Sequence, residues 1–268
     1  MTTLDLETAA RCAEAAADAA RREILPRFRH VATRRKADGS PVTEADLAAE
    51  RVLREVLGAF DPDLPILGEE LGGDPGAQER GWIVDPIDGT IGFARGLPLF
   101  STLIALVEDG EPVLGLIDLP ALAERTVGWR GAGVRRNGEA VHVSRQPKLS
   151  ESLVAHGDRF CFDRFGWRPG FDRLCAELPL FRSYTDAFGH AQVLAGGIDA
   201  MVDVDLNPWD AAATQALVPE AGGRCVTIDR RSEGRKLGLV FGSPALVEPL
   251  LDRLGADSGA NRPERPGR

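Results

Sequence analysis

Trp82-Ile83-Val84-Asp85-Pro86-Ile87-Asp88-Gly89-Thr90 is the stretch on which the reading of the fold turns. Its three leading apolar residues predict the end of a buried strand that delivers Asp85 to a sheet edge. Pro86 has a fixed φ and no N–H, so the chain is expected to leave the strand there. Asp88 follows three residues after Asp85, and Gly89 opens backbone conformations closed to other residues. Thr90 then brings a hydroxyl to an expected helix start. Two carboxylates, a hydroxyl and bare backbone amides thus fall within the six residues from Asp85 to Thr90. A hard divalent cation needs such oxygen ligands, and a phosphate ester needs such N–H donors. Taken alone, the same residues also make an ordinary turn, because Asp-Pro and Asp-Gly are common turn dipeptides and Asp or Thr caps helices. The rest of the chain decides between the two.

Upstream, residues 4–33 are rich in Ala, Arg and Leu and predict one long amphipathic helix, broken by turn residues between Lys36 and Pro41. Val42-Thr43-Glu44-Ala45-Asp46 leads into a second helix ending near Ala59. A short strand is expected at Ile66-Leu67, stopping at Gly68-Glu69-Glu70, and an exposed loop over 71–81. Downstream the texture becomes β, with short runs at 101–107, 112–118, 125–129, 133–136 and 140–143. Glu108-Asp109-Gly110 and Asn137-Gly138 are hairpin signals between them. From residue 147 strands (152–155, 181–184, 200–204, 224–228, 237–241) and helices (166–178, 188–197, 207–220, 244–254) alternate. The expected organisation is an N-terminal α+β half over 1–146 and a C-terminal α/β half over 147–255. A disordered tail of Gly, Pro and charge is expected over 256–268.

The 268 residues are enough for a sizeable core, and 43% apolar with 27% charged residues is the balance of a soluble globular protein. A net charge of −9 disfavours nucleic acid or an anionic membrane as principal partner. It leaves a phosphorylated substrate open, since clustered carboxylates holding cations reverse the local sign. No apolar run approaches the roughly 20 residues of a membrane-spanning helix, and no basic-then-apolar leader is seen, so a cytoplasmic protein is expected. Cys12, Cys161, Cys175 and Cys225 show no C-x-x-C spacing, which favours a reduced chain with incidental cysteines over disulfides or a zinc site.

Acidic residues recur where α/β folds place their sites, at strand ends and helix starts. Glu69-Glu70 follows a strand, Asp85 and Asp88 end one, Asp210 opens a helix after Pro208-Trp209, and Asp46 opens another after Thr43. Each alone is readily a solvated carboxylate or a partner of its helix dipole. In this order, Thr-x-x-Asp, Gly-Glu-Glu, Trp-Ile-Val-Asp-Pro-Ile-Asp-Gly-Thr and Trp-Asp-Ala-Ala, they resemble the inositol-monophosphatase-like family of magnesium-dependent, lithium-sensitive phosphatases. The resemblance covers about residues 5–255. It implies a layered αβαβα sandwich of the inositol monophosphatase/fructose-1,6-bisphosphatase type.

The resemblance also implies roles. Glu69, Asp85 and the Ile87 carbonyl would hold one Mg²⁺, and Asp85, Asp88 and Asp210 a second, with a weaker third near Glu69. Thr90, paired with Asp46, would orient the attacking water with Glu69 assisting. The Gly89 and Thr90 amides would hold phosphate oxygens, and Lys36 would approach the same region. Such a site hydrolyses a phosphate monoester by metal-activated water and needs no Ser, Cys or His nucleophile, which leaves His156 and His190 as packing or surface residues. Homodimers are common in the family.

For the substrate, residues 98–106 and 115–120, together with Thr185-Asp186-Ala187-Phe188-Gly189-His190, resemble the histidinol-phosphatase branch. Asp186 and Asp203 would face the substrate there, suiting the ammonium and imidazole of L-histidinol phosphate, an intermediate of histidine biosynthesis. Asp186 as a plain helix cap is the alternative. Ile91-Gly92 departs from the polar residue that relatives place before the Phe, so inositol-1-phosphate or a broad range of sugar phosphates stays open. A nucleotide substrate and a non-catalytic binding module are less favoured.

Overall fold

The computed structural model describes residues 4–36, 39, 41–228 and 237–256. Apart from Ala256, the expected tail lies outside them, as does most of the turn between Lys36 and Pro41. The chain runs α1 (Leu6–Ile24), β1 (Arg34–Arg35), β2 (Pro41–Val42), α2 (Glu44–Phe60), β3 (Ile66–Gly68), β4 (Gly72–Gly73), β5 (Gly81–Asp88) and α3 (Thr90–Ala94). A meander follows: β6 (Ser101–Glu108), β7 (Glu111–Leu119), β8 (Glu124–Trp129), β9 (Gly133–Arg136) and β10 (Glu139–Val141). Then come β11 (Val154–His156), α4 (Arg159–Arg164), α5 (Arg168–Glu177), β12 (Phe181–Ser183), α6 (Asp186–Leu194) and β13 (Ala200–Leu206). The chain closes with α7 (Pro208–Glu220), β14 (Arg224–Ile228), β15 (Leu237–Gly242) and α8 (Pro244–Leu254).

Two layered sheets and three helical layers result, with β1 and β2 forming a separate two-stranded antiparallel sheet. The larger sheet has the order β10-β9-β8-β7-β6-β5-β3-β4 and the smaller β12-β11-β13-β15-β14. Side-chain alternation along each strand assigns the layers. On β5, Trp82 and Val84 pack with α1 and α2, whereas Ile83 packs with α6 and α7 on the opposite face. On β15, Leu239 and Phe241 face α6 and α7, whereas Val240 faces α4, α5 and α8. The middle helices therefore bury both faces between the sheets, which is the αβαβα sandwich.

Local chemistry accounts for the elements. Asp5 caps α1 by accepting from the Glu7 and Thr8 amides. The inner face of α1 is Ala9, Ala10, Ala13, Ala16, Ala17 and Ala20, all buried, so α1 lies close on α2. A leucine there would overpack the contact by about 1–3 kcal/mol. The α-helix ends at Ile24, short of the residue 33 expected, because Leu25-Pro26-Arg27 tightens into a 3₁₀ turn where proline has no N–H to give. Both hairpin signals hold: Asp109-Gly110 and Asn137-Gly138 sit at positive φ between paired strands, the geometry of two-residue turns. α4 has no counterpart among the expected helices, being a short element capped by Asp158. Among the described residues no helix is long and apolar enough to cross a membrane.

Candidate active site

The opening stretch folds differently from the expectation at one residue. Pro86 does not end the strand, and β5 is not at an edge: it lies between β3 and β6 and runs on to Asp88. Asp85 pairs with Leu103 and Asp88 with Ser101, so Pro86 and Ile87 together face Thr102 alone. This bulge is where a residue without an N–H fits, and the Thr102 hydroxyl donates to the Pro86 carbonyl at 2.8 Å. It also has a consequence for chemistry. Strict alternation would send side chains three positions apart to opposite faces. The extra residue turns Ile87 into the α1/α2 core with Trp82 and Val84, and so brings Asp88 to the same cleft as Asp85. Gly89 follows at φ +83, where a Cβ would sit 3.1 Å from Asp186 Oδ2, and α3 starts at Thr90.

Glu69 reaches Asp85 because β3 pairs parallel with β5 and the Glu69 amide extends the ladder to the Val84 carbonyl at 3.3 Å. Beneath this turn lies Glu50 of α2, fully buried. Its carboxylate accepts from the Glu70 amide at 2.7 Å and the Leu71 amide at 3.2 Å, and pairs with Arg54 at 2.7 Å. A Cβ at Gly68 would sit 2.1 Å from that carboxylate, so only glycine lets the strand pass over it. Lys36 spans Glu69 at 2.7 Å and Glu70 at 2.8 Å. Burial pulls its ammonium pKa down and the two carboxylates more than reverse this. Burial also pushes Glu70 up to about 7.

Asp210 is the third residue of α7 and completes a capping box, accepting from the Asn207 amide at 2.7 Å and side chain at 3.0 Å. One oxygen each of Glu69, Asp85 and Asp210 lie within 4.8 Å of one another. Asp88 stands outside that trio: its Oδ2 accepts from Ser101 Oγ at 2.8 Å and from the Ala187 amide, in the first turn of α6, at 2.7 Å. Behind them the Thr90 hydroxyl lies 3.0 Å from the Ile87 carbonyl and 3.2 Å from Asp46 Oδ1. Asp46 is wholly buried and makes its own capping box with Thr43. Burial raises the pKa of Asp46, Asp85 and Asp88, the last to about 7, and Asp85 is raised further by Glu69, Asp88 and Asp210.

The opposite wall comes from the smaller sheet. Asp186 opens α6 in the left-handed region at φ +57 and makes no cap, Thr185 being the cap position. Burial and the neighbouring Asp203 push its carboxyl up to about 6. Asp203 lines the cleft too, but its Oδ2 lies 3.1 Å from His190 Nε2, and His190 Nδ1 lies 2.7 Å from Thr214 Oγ1. His190 is thus a buried clamp on Asp203. Half-buried His156 packs against Phe162, Phe171 and Phe181 at the cleft margin.

Glu69, Asp85, Ile87, Asp88, Gly89, Thr90, Asp186, Asp203 and Asp210 share one cleft of about 640 Å³. Asp46 lies behind its wall, and Lys36 lines an adjoining recess. An all-oxygen donor set of crowded carboxylates, Asp85 buried and Glu69, Asp88 and Asp210 half-buried, is what a hard divalent cation stabilises and what bare burial does not.

The sequence profile of the inositol monophosphatase family matches residues 2–254. The chain belongs to this family. A histidinol-phosphatase of Chlorobaculum parvum is 38% identical over 222 residues, covering 82% of this chain and 85% of the relative. A histidinol-phosphatase of Streptomyces coelicolor is 37% identical over 255 residues, covering 91% of this chain and 96% of the relative. Among solved structures, an inositol monophosphatase from Zymomonas mobilis superposes with a TM-score of 0.81 at 34% identity, over 94% of this chain and all of the other. The inositol monophosphatase fold and phosphatase class follow for this chain.

Sequence reasoning missed Glu50, Ser101 and the His190–Thr214 clamp. A signal for Glu50 exists: Asp46 and Glu50 are four apart on the face of α2 that also carries Ala45, Ala49, Leu53 and Leu57. Two acids on an apolar face mark buried carboxylates with partners. Ser101 and Thr214 carry no comparable signal, because their partners are distant in sequence.

Proposed function

We propose that this inositol monophosphatase family member is a Mg²⁺-dependent phosphomonoesterase whose preferred substrate is L-histidinol phosphate, acting as a cytoplasmic homodimer. The observation that carries the reading is the convergence of Glu69, Asp85 and Asp210, from three separate segments, to within 4.8 Å. These carboxylates, the Ile87 carbonyl and Asp88 would hold Mg²⁺, two or three ions in all, which would supply charge neutralisation and lower the pKa of a bound water. The Thr90 hydroxyl, fixed between the Ile87 carbonyl and Asp46, orients the attacking water, and Glu69 assists in taking its proton. The Gly89 and Thr90 amides, at the start of α3 where helical acceptors are lacking, hold phosphate oxygens. Asp186 and Asp203 face the rest of the substrate, with Asp203 held by His190, and they favour an ammonium or imidazole over neutral hydroxyls. Lys36 positions Glu69.

The likeness to histidinol-phosphatases over most of the chain supports the substrate; the Zymomonas mobilis inositol monophosphatase supports inositol-1-phosphate as a second reading. A phosphate-release panel on purified protein with Mg²⁺ tests both. Histidinol phosphate should be turned over with the highest kcat/KM; an inositol-1-phosphate preference would replace the first reading with the second.

A further inference from the structure

Beside the carboxylate cleft lies a larger recess of about 1180 Å³ with the opposite charge. The two meet at Pro41, Glu69, Ile91 and Asn207. Arg35 from β1, Arg95 from the end of α3 and Arg164 from the end of α4 line the recess, and Glu69 is the one carboxylate on its wall among the described residues. Lys36 is also there, with its charge already committed to Glu69 and Glu70. Arg164 spends part of its charge on Asp205 at 3.1 Å, and so joins the recess to the cleft. Among the described residues Arg35 and Arg95, both exposed, have no carboxylate partner, and Arg35 donates to the Gly39 carbonyl at 3.1 Å. Trp209, on the same wall, carries a buried indole N–H without an acceptor among the described residues.

This pattern is unusual for a chain with nine more acidic than basic residues, 41 against 32. A phosphate ester approaching the cleft meets Asp158, Asp186, Asp203 and Asp205 on its far wall, all of which repel it. Guanidiniums without a carboxylate partner among the described residues, sharing a boundary with the reacting centre, offer a favourable landing point beside that of Arg159 on the cleft wall, and their planar forks suit phosphate oxygens. We propose that the recess is a second anion-binding site, taking the phosphate group through Arg35 and Arg95. It holds the incoming ester before transfer past Glu69 and Ile91, and receives inorganic phosphate as it leaves. The inference deepens the phosphatase reading and rests on it for the ester's identity.

The test separates the two. In EDTA-treated full-length protein the carboxylate cleft repels phosphate, so phosphorus NMR titration with inorganic phosphate, and separately with glycerol 2-phosphate, reports the recess. Wild type should bind both saturably, and R35Q and R95Q should each weaken binding about tenfold, the lower end for charged hydrogen bonds at an exposed site. R95K should restore part of it. With Mg²⁺, the double variant R35Q/R95Q should raise KM and retain kcat, and the rise should shrink as NaCl passes about 0.1 M, where screening reaches about 10 Å. Binding of the ester alone confines the site to entry, and of free phosphate alone to exit. No saturable binding of either probe, or equal binding by wild type and the double variant, overturns the proposal. An active wild type with unchanged variants sinks the recess alone, whereas a wild type that releases no phosphate from any ester sinks the phosphatase reading.

Discussion

Glu50 gives the sharpest link between stability and activity. In E50A the Glu70 and Leu71 amides lose their acceptor and Arg54 loses its partner. Breaking a buried pair by removing one member costs about 3–5 kcal/mol, because the survivor stays behind uncompensated. Arg54 is 25% exposed in its side chain and keeps bonds to the Ile66 and Gly72 carbonyls, so the lower end applies, about 3 kcal/mol. At about 2–4 °C per kcal/mol for a domain near this size, the melting temperature should fall about 6–12 °C. The same change frees the Gly68–Glu70 turn, and a 1 Å displacement of Glu69 is enough to cost about 100-fold in turnover. Calorimetry gives the first quantity. Phosphate release at a temperature where E50A remains folded, per mole of folded protein, gives the second. A stability loss under about 1 kcal/mol would refute the account of the buried pair. Full turnover alongside the full stability loss would refute Glu50 as a positioning residue for Glu69.

Three further outcomes are expected. Adding Mg²⁺ to EDTA-treated protein should restore turnover and raise the melting temperature, by about 2.7 kcal/mol of stability at 100 times the dissociation constant. D85N should lose that shift while being at least as stable as wild type without metal, since it relieves the repulsion from Glu69, Asp88 and Asp210; calorimetry with and without Mg²⁺ decides. D88N should lower kcat by orders of magnitude with little change in far-UV circular dichroism, because an amide oxygen can still accept from Ser101 and Ala187; near-normal turnover would exclude a metal role for Asp88. D186A should reduce kcat/KM for histidinol phosphate far more than for glycerol 2-phosphate, and an equal loss on both would reject Asp186 as a specificity residue.

Much of this was legible along the chain. The two hairpins are set by Asp109-Gly110 and Asn137-Gly138, where positive φ is needed locally and the residues that tolerate it are present. α7 begins at Pro208 and carries Asp210 in its first turn because Pro and an acidic capping box are both read within four residues. The candidate ligands Glu69 and Asp210 stood out by residue type and by their places after a strand and at a helix start, and Asp85 by residue type within its motif, although β5 runs on past it.

What sequence alone could not decide is how those pieces meet. Pro86 was read as a strand end from its own chemistry, yet pairing with β6 on both sides carries β5 past it, and the resulting bulge aims Asp88 into the cleft with Asp85. A bulge is a property of two strands, so no single segment announces it. Asp203 reads as a free substrate contact until α6 and α7 bring His190 and Thr214 against it. Glu50 acquires its role only when β3 crosses above α2 at Gly68. Local chemistry, then, determined the elements and the donor types; burial and pairing between segments remote in sequence decided which carboxylates converge, which are clamped, and where the opposing positive recess lies.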